Sequence, residues 1–150
     1  MLALLAALHD LGKASPAFAA KWEAVKRIFR RIGYDFPPVQ DNKTPHGQIT
    51  AKSLFEELED RGVYRPCAGE LAHVLGGHHG IFIKFNETKR LAPSQLGNER
   101  WQESRTALII TLEELFGVKL GPELLDRLGE NKSALVKLAG LTSVADWIAS

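Results

Sequence analysis

Apolar side chains return at steps of three and four along most of this 150-residue chain, and that spacing commits it to helices. Phe18, Trp22, Val25, Phe29 and Ile32 follow steps of four, three, four and three, the stripe of one amphipathic helix. Leu2 to Leu11 is Ala/Leu-rich and strongly helix-forming, and Gly12 loosens its end. A third helix starts near His46, faces inward with Ile49 or Ala51, Leu54, Phe55 and Leu58, and stops at Gly62. A fourth follows Pro66 and carries Leu71, Val74 and Leu75 to Gly76-Gly77. A fifth runs from about Asn98 to Phe116, with Trp101, Arg105, Leu108, Leu112 and Leu115 on one stripe. Pro122 suits the first turn of a sixth, and the last runs from about Lys132 to Ala149.

Pro37-Pro38 opens a loop to Pro45, and residues 80–97 read as irregular. Ile81 to Phe85 has strand character, but a lone strand has nothing to pair with. The expected fold is therefore all-α: a compact bundle of about six or seven helices with one long irregular loop. No linker divides it, so residues 1–150 are expected to form one domain.

Composition narrows the class. With 45% hydrophobic and 25% charged residues, the chain is an ordinary globular protein. The single cysteine, Cys67, excludes an internal disulfide and fits a reducing cytoplasm; it reads as a small buried hydrophobe. The apolar run Met1 to Leu8 lacks a basic leader and is too short to span a bilayer, so no membrane role is expected. Net charge is +1, so any nucleic-acid surface must be local. Lys21, Lys26, Arg27, Arg30 and Arg31, with Glu23 as the one acid among them, form a basic segment that reads as a solvated helix face rather than a phosphate track. Trp22, Trp101 and Trp147 fall on helices, where packing is the default role.

Metal-binding side chains occur in four places: His9-Asp10, His46, His78-His79 and Asp146. His9 and Asp10 end an otherwise apolar helix, and a buried carboxylate there needs a cation or hydrogen-bond donors. Asp146 shares the stripe of Leu135, Leu138 and Thr142 and poses the same problem. His78 and His79 sit between Gly76-Gly77 and Gly80, at a helix end loose enough for neighbouring imidazoles to converge. His73 lacks such context. Imidazoles and carboxylates around a shared acid make a two-metal site, suited to divalent manganese, iron, nickel or cobalt, with magnesium possible. Two such ions clamp and hydrolyse a phosphodiester.

The run HDLGKASPAF from His9 to Phe18 resembles the core motif of the histidine–aspartate (HD) phosphohydrolase superfamily. With HG at His46-Gly47, GGHHG at Gly76–Gly80 and ADWIAS at Ala145–Ser150, it resembles the nuclease domain of the type I CRISPR-associated helicase-nuclease family. The resemblance implies that Asp10 bridges two metals. One would take Asp10, His46, His78 and His79; the other would take His9, Asp10 and Asp146. Lys13 would stabilise charge or protonate the leaving oxygen at the scissile phosphate. It also implies single-stranded DNA as substrate, with a helicase domain or subunit and an RNA-guided surveillance complex as partners.

Two departures from the family pattern stand out. The family has a further histidine upstream of the HD motif, whereas the eight residues before His9 contain none. The three-ligand metal site is therefore expected to be the weaker one. The missing histidine favours an N-terminally shortened domain, and the end after the DW motif fits either a piece of a helicase fusion or a stand-alone nuclease subunit. The loop from Phe82 to Gly97 carries Lys84, Lys89 and Arg90 as a DNA-facing lip. Two alternatives remain: an HD phosphohydrolase acting on nucleotides, and a degenerate helical docking module.

Overall fold

The computed structural model describes residues 1–38, 44–80, 88 and 90–149. Among them the fold is all-α, with nine α-helices and one 3-10 segment. α1 (Leu2–Ala7) runs straight into the 3-10 segment Leu8–Lys13. α2 (Pro16–Ala19) and α3 (Glu23–Arg31) flank it. α4 (His46–Asp60) and α5 (Arg65–Gly76) form the central pair. The one-turn α6 (Pro93–Leu96) precedes the long α7 (Glu99–Phe116). α8 (Pro122–Glu130) and α9 (Lys132–Ala149) complete the bundle. No helix among the described residues is long and apolar enough to cross a membrane.

The count exceeds the six or seven expected for physical reasons. The stripe from Phe18 to Ile32 is not one helix: it breaks at 20–22, where Trp22 takes an extended backbone (φ −121°, ψ 111°). Phe18 packs edge-on against His46, while Phe29 stacks on Trp101, so the two halves serve different neighbours. Ile32 stays largely exposed. Pro93–Leu96 adds a single turn inside the stretch read as irregular. The candidate strand Ile81–Phe85 lies outside the described residues.

The main core joins Leu4, Leu5, Leu8 and Leu11 to Leu54 and Leu58 of α4, Leu71 and Leu75 of α5, Ile109 of α7, Leu125 of α8 and Leu138 of α9. Cys67 is buried within it, and its thiol donates to the Asp126 carbonyl at 3.4 Å. On α7 the buried stripe is Trp101, Arg105, Ile109 and Glu113, not the expected Leu108 and Leu115, which are 46% and 75% exposed. Both buried charges are satisfied. Arg105 donates to the carbonyls of Ala14 and Leu96. Glu113 accepts from Arg61 at 2.7 Å and from the Leu120 amide at 2.6 Å.

Backbones approach unusually closely where the 3-10 segment, α4 and α5 meet. A Cβ on Gly12 would strike the His46 carbonyl and lie 2.6 Å from the Thr50 nitrogen. A Cβ on Gly47 would strike the Gly76 carbonyl, and one on Gly76 would lie 2.6 Å from the Gly47 oxygen. Backbone is a poor partner for relief by side-chain rotation, so these contacts demand glycine.

Gly12→Ala should therefore destabilise the protein by about 3 kcal/mol, the upper part of the range for overpacking. That corresponds to a fall in Tm of roughly 10 °C for a domain of this size. Gly140→Ala, exposed on α9 with open space at its Cβ, should instead raise stability by about 0.5–1 kcal/mol. Thermal denaturation of both variants checks the contrast, and equal melting temperatures would contradict the described contact.

Candidate metal centre

The 3-10 segment places His9 and Asp10 side by side, and Thr50 of α4 fixes it there. The Thr50 hydroxyl accepts from the Gly12 amide at 2.8 Å and donates to the His9 carbonyl at 2.8 Å. Ser15, fully buried, closes the segment: its hydroxyl donates to the Gly12 carbonyl and caps α2 through the Phe18 amide. Pro16 follows in the first turn of α2, where its missing N–H costs nothing.

His46 opens α4 directly after Pro45. His78 and His79 lie in the turn beyond α5, whose helix ends at Gly76; Gly80 then takes a positive φ of 78°. That turn is tied to α9, because the Ser143 hydroxyl donates to the His78 carbonyl at 2.9 Å. Asp146 lies one turn further along α9, only 8% exposed, on the buried face of Leu135, Leu138 and Thr142.

These elements bring six side chains together. His46 Nε2 stands 3.1 Å from His78 Nε2, 3.2 Å from His79 Nε2 and 3.2 Å from Asp10 Oδ1. His9 Nε2 lies 3.2 Å from Asp10 Oδ2 and 3.5 Å from Asp146 Oδ1. His79 Nδ1 lies 3.5 Å from Asp146 Oδ2. Among the described residues, two groups offer ligand atoms that all lie within 4.8 Å of one another: His46, His78 and His79, and His9, His78 and Asp146. His78 belongs to both groups.

The protonation pattern follows from the surroundings. His9 donates its Nδ1–H to the Ala6 carbonyl at 2.6 Å, and His78 donates its own to the Leu75 carbonyl at 2.9 Å. Both rings therefore present Nε2 to the centre. Burial, aided by the neighbouring His79, His9 and His46, pushes the His78 pKa down to about 4, against the contact with Leu75. The adjacent Asp10 carboxylate raises the pKa of His9 against the effect of burial. Burial opposes ionisation of Asp10, yet His46, His9 and Lys13 together hold its pKa well below the usual carboxylate range. Lys13 makes the shortest of these contacts, with Nζ 2.6 Å from Asp10 Oδ2.

A divalent cation fits this donor set. His9 Nε2 and Asp10 Oδ1 are both buried without a hydrogen-bond partner, although attractive groups lie near them. Three imidazole nitrogens also meet near His46, where one proton can bridge only one pair at a time. A cation accepts from all of them together.

All six residues expected to hold metal are thus neighbours, with Lys13 beside them. His73 belongs to neither group. Of the expected DNA-facing lip, Arg90 is exposed, while Lys84 and Lys89 lie outside the described residues. Trp147 neighbours Asp146 in sequence but is 82% exposed rather than packed. Sequence reasoning missed Thr50 and Ser143. Their only signal was position, four residues after His46 and three before Asp146.

Comparison with known proteins agrees with this geometry. A family model described as "Cas3, HD domain" matches residues 1–150. The CRISPR-associated endonuclease/helicase Cas3 of Thermus thermophilus is 39% identical over 153 residues, covering 99% of this chain and 16% of that protein. A crystal structure of a CRISPR-associated protein superposes with a TM-score of 0.83 at 34% identity, over 99% of this chain and 16% of the other. The Thermus thermophilus Cas3 HD domain, solved in the presence of Ni2+, superposes with a TM-score of 0.67 at 28% identity, over 99% of this chain and 52% of the other. The chain spans about a sixth of the length of the full Cas3 relative, and over that span it belongs to the Cas3 HD-domain family.

Proposed function

We propose that residues 1–150 form an HD-type nuclease domain that hydrolyses phosphodiester bonds of single-stranded DNA in CRISPR interference. A helicase domain or subunit would feed the strand, and an RNA-guided surveillance complex would expose it. The observation that carries this reading is the gathering of four imidazoles, from His9, His46, His78 and His79, with the carboxylates of Asp10 and Asp146 in one cluster. A degenerate docking module would favour His46, His78 and His79 turned apart, and they converge instead.

Asp10, His46, His78 and His79 would hold one divalent ion, and His9, Asp10 and Asp146 the other, with His78 close enough to support it. Manganese, iron, nickel or cobalt suits these ligands, and the Ni2+ named for the Thermus thermophilus domain supports that class. Bound ions would supply Lewis acidity at the phosphate and lower the pKa of the attacking water. Asp10 presents one oxygen towards His46 and the other towards His9 and Lys13, which suits a bridging role. The Lys13 ammonium, held by Asp10 at the accessible edge, stands ready to neutralise developing charge on the leaving oxygen. The backbone contacts at Ala6 and Leu75 hold two of the imidazoles in orientation.

Single-stranded DNA should be cut with manganese, nickel or cobalt and spared with chelator. Asp10→Ala should reduce cutting to background, and Lys13→Ala should lower kcat by about 100-fold, as for loss of one charge-stabilising donor. Cutting by chelated Asp10→Ala protein would refute the reading. A deoxynucleotide turned over faster than an oligonucleotide would move it to nucleotide phosphohydrolysis.

Metal binding should also depend on pH with a defined sign. His9, whose pKa is raised above 6.5, carries a proton that must leave before it ligates. His78 stays neutral down to about pH 4 and releases none. Occupancy of the His9-containing group should therefore rise with pH through and above 6.5, with proton release. Calorimetry in buffers of different ionisation enthalpy measures that release, and binding that is independent of pH from 5 to 8 would contradict it.

A further inference from the structure

Beside the metal centre, α2 and α3 leave a groove of about 560 Å3 against α7. Lys13 and Phe18 stand at its end nearest the histidines, and Trp22, Phe29, Tyr34 and Trp101 continue its lining. We propose that this groove seats an unpaired nucleobase of the strand whose neighbouring phosphate lies at the metal centre. Trp22 would give the stacking surface, Phe18 would wall the end of the groove, and Lys21 would pair with the phosphate. This assignment rests on the nuclease reading and adds positioning residues to it.

Packing alone does not account for the groove. Phe29, Tyr34 and Trp101 already satisfy one another: Phe29 stacks on Trp101 at 5.4 Å, and the Trp101 indole donates to the Asp35 carbonyl. Trp22 stands apart from that cluster. It occupies the break between α2 and α3, is 49% exposed, and meets Phe18 edge-on at 5.0 Å. An indole left half in water on an aromatic groove offers a free π-face.

Position and charge select the occupant. The Phe18 ring lies 5.5 Å from the His46 ring and 5.0 Å from the Trp22 ring, so a base on Trp22 is one side chain away from the metal-binding cluster. Lys21 Nζ sits 4.6 Å from the Phe18 ring centre and Lys13 Nζ 5.8 Å from it. Arg27, Arg30 and Arg31 are exposed on α3 but stand outside the groove lining, so the nearby positive charge is that of Lys13 and Lys21. An apolar groove with a cationic rim, opening on a phosphate-cleaving centre, suits an anionic ligand that carries flat rings. Aromatic stacking accepts every base, so the contact positions the strand without selecting sequence.

The test is binding of a labelled oligothymidylate in chelator, which prevents cutting, measured by fluorescence anisotropy. A strand of the same length made of abasic sugar-phosphates serves as the control. Trp22→Ala should weaken oligothymidylate binding by about ten-fold, the effect of losing one stacked base, and leave the abasic strand unchanged. Trp22→Phe should restore most of the affinity. Lys21→Ala, an independent variant on the surface, should reduce the slope of log Kd against log salt by about 0.7 on both strands, as for one phosphate contact. A Trp22→Ala protein that binds oligothymidylate as the parent does, or loses affinity equally on both strands, would overturn the proposal. A parent dimer that Trp22→Ala splits would overturn it too, by giving the groove to a second copy. Base-dependent binding by a protein that hydrolyses no phosphodiester with manganese would leave the groove standing and bring down the nuclease reading alone.

Discussion

The contact on which the rest depends is backbone against backbone. Gly12, Gly47 and Gly76 let the 3-10 segment, α4 and α5 approach more closely than any side chain at those positions would allow. His9-Asp10, His46 and His78-His79 each lie within three residues of one of these glycines. Imidazole and carboxylate side chains are short, so ligand atoms about 3 Å apart require their backbones to be brought close first. Thr50 reinforces the arrangement by satisfying two backbone groups of the 3-10 segment with one hydroxyl.

That proximity has an electrostatic cost. Partly buried carboxylates and several imidazole lone pairs face one another, and among the described residues His9 Nε2 and Asp10 Oδ1 make close contacts but no hydrogen bond. Burial of either group without compensation disfavours folding. Such a violation of the usual satisfaction of polar groups marks a functional site rather than a structural one. Glu113 and Arg105 show the contrast. They are buried more deeply than His9 and Asp10, yet backbone groups and an ion pair satisfy both, and among the described residues neither lies in a metal-binding group.

The all-α class was legible because α4, α5 and the C-terminal helix keep clean apolar faces, and Ile49, Leu54, Phe55 and Leu58 are buried as their spacing predicts. His9-Asp10 and Asp146 stood out because polar residues interrupt apolar faces where burial is costly, whereas Asp10 as the common meeting point came from the family resemblance and not from spacing. Two features were hidden by the same periodicity that revealed the rest. On α7 Trp101 and Arg105 are buried as expected, but the stripe continues through Ile109 and the charged Glu113, whereas hydrophobicity alone points to Leu108 and Leu115, one face away. Between Phe18 and Ile32 the apolar steps fit a continuous helix, although the chain must turn at 20–22 to serve both His46 and Trp101. Which neighbour each residue serves is a non-local fact, and spacing within one segment does not encode it.

The chain distances involved connect the site to stability. The candidate ligands come from the 3-10 segment, the start of α4, the turn after α5 and the end of α9, so coordination would close loops across nearly the whole domain. An ion that binds only the folded state stabilises it by mass action, by about 2.7 kcal/mol at a hundred times its Kd. It would also remove the repulsion among the imidazoles and give the orphaned atoms a partner. Without it, the tightly packed glycines and Thr50 must hold the opposing groups together by themselves. The precision of the backbone contacts and the unsatisfied donors they assemble are thus two sides of one design: rigidity holds a high-energy cluster of ligands in place, and metal binding draws its free energy from that cluster.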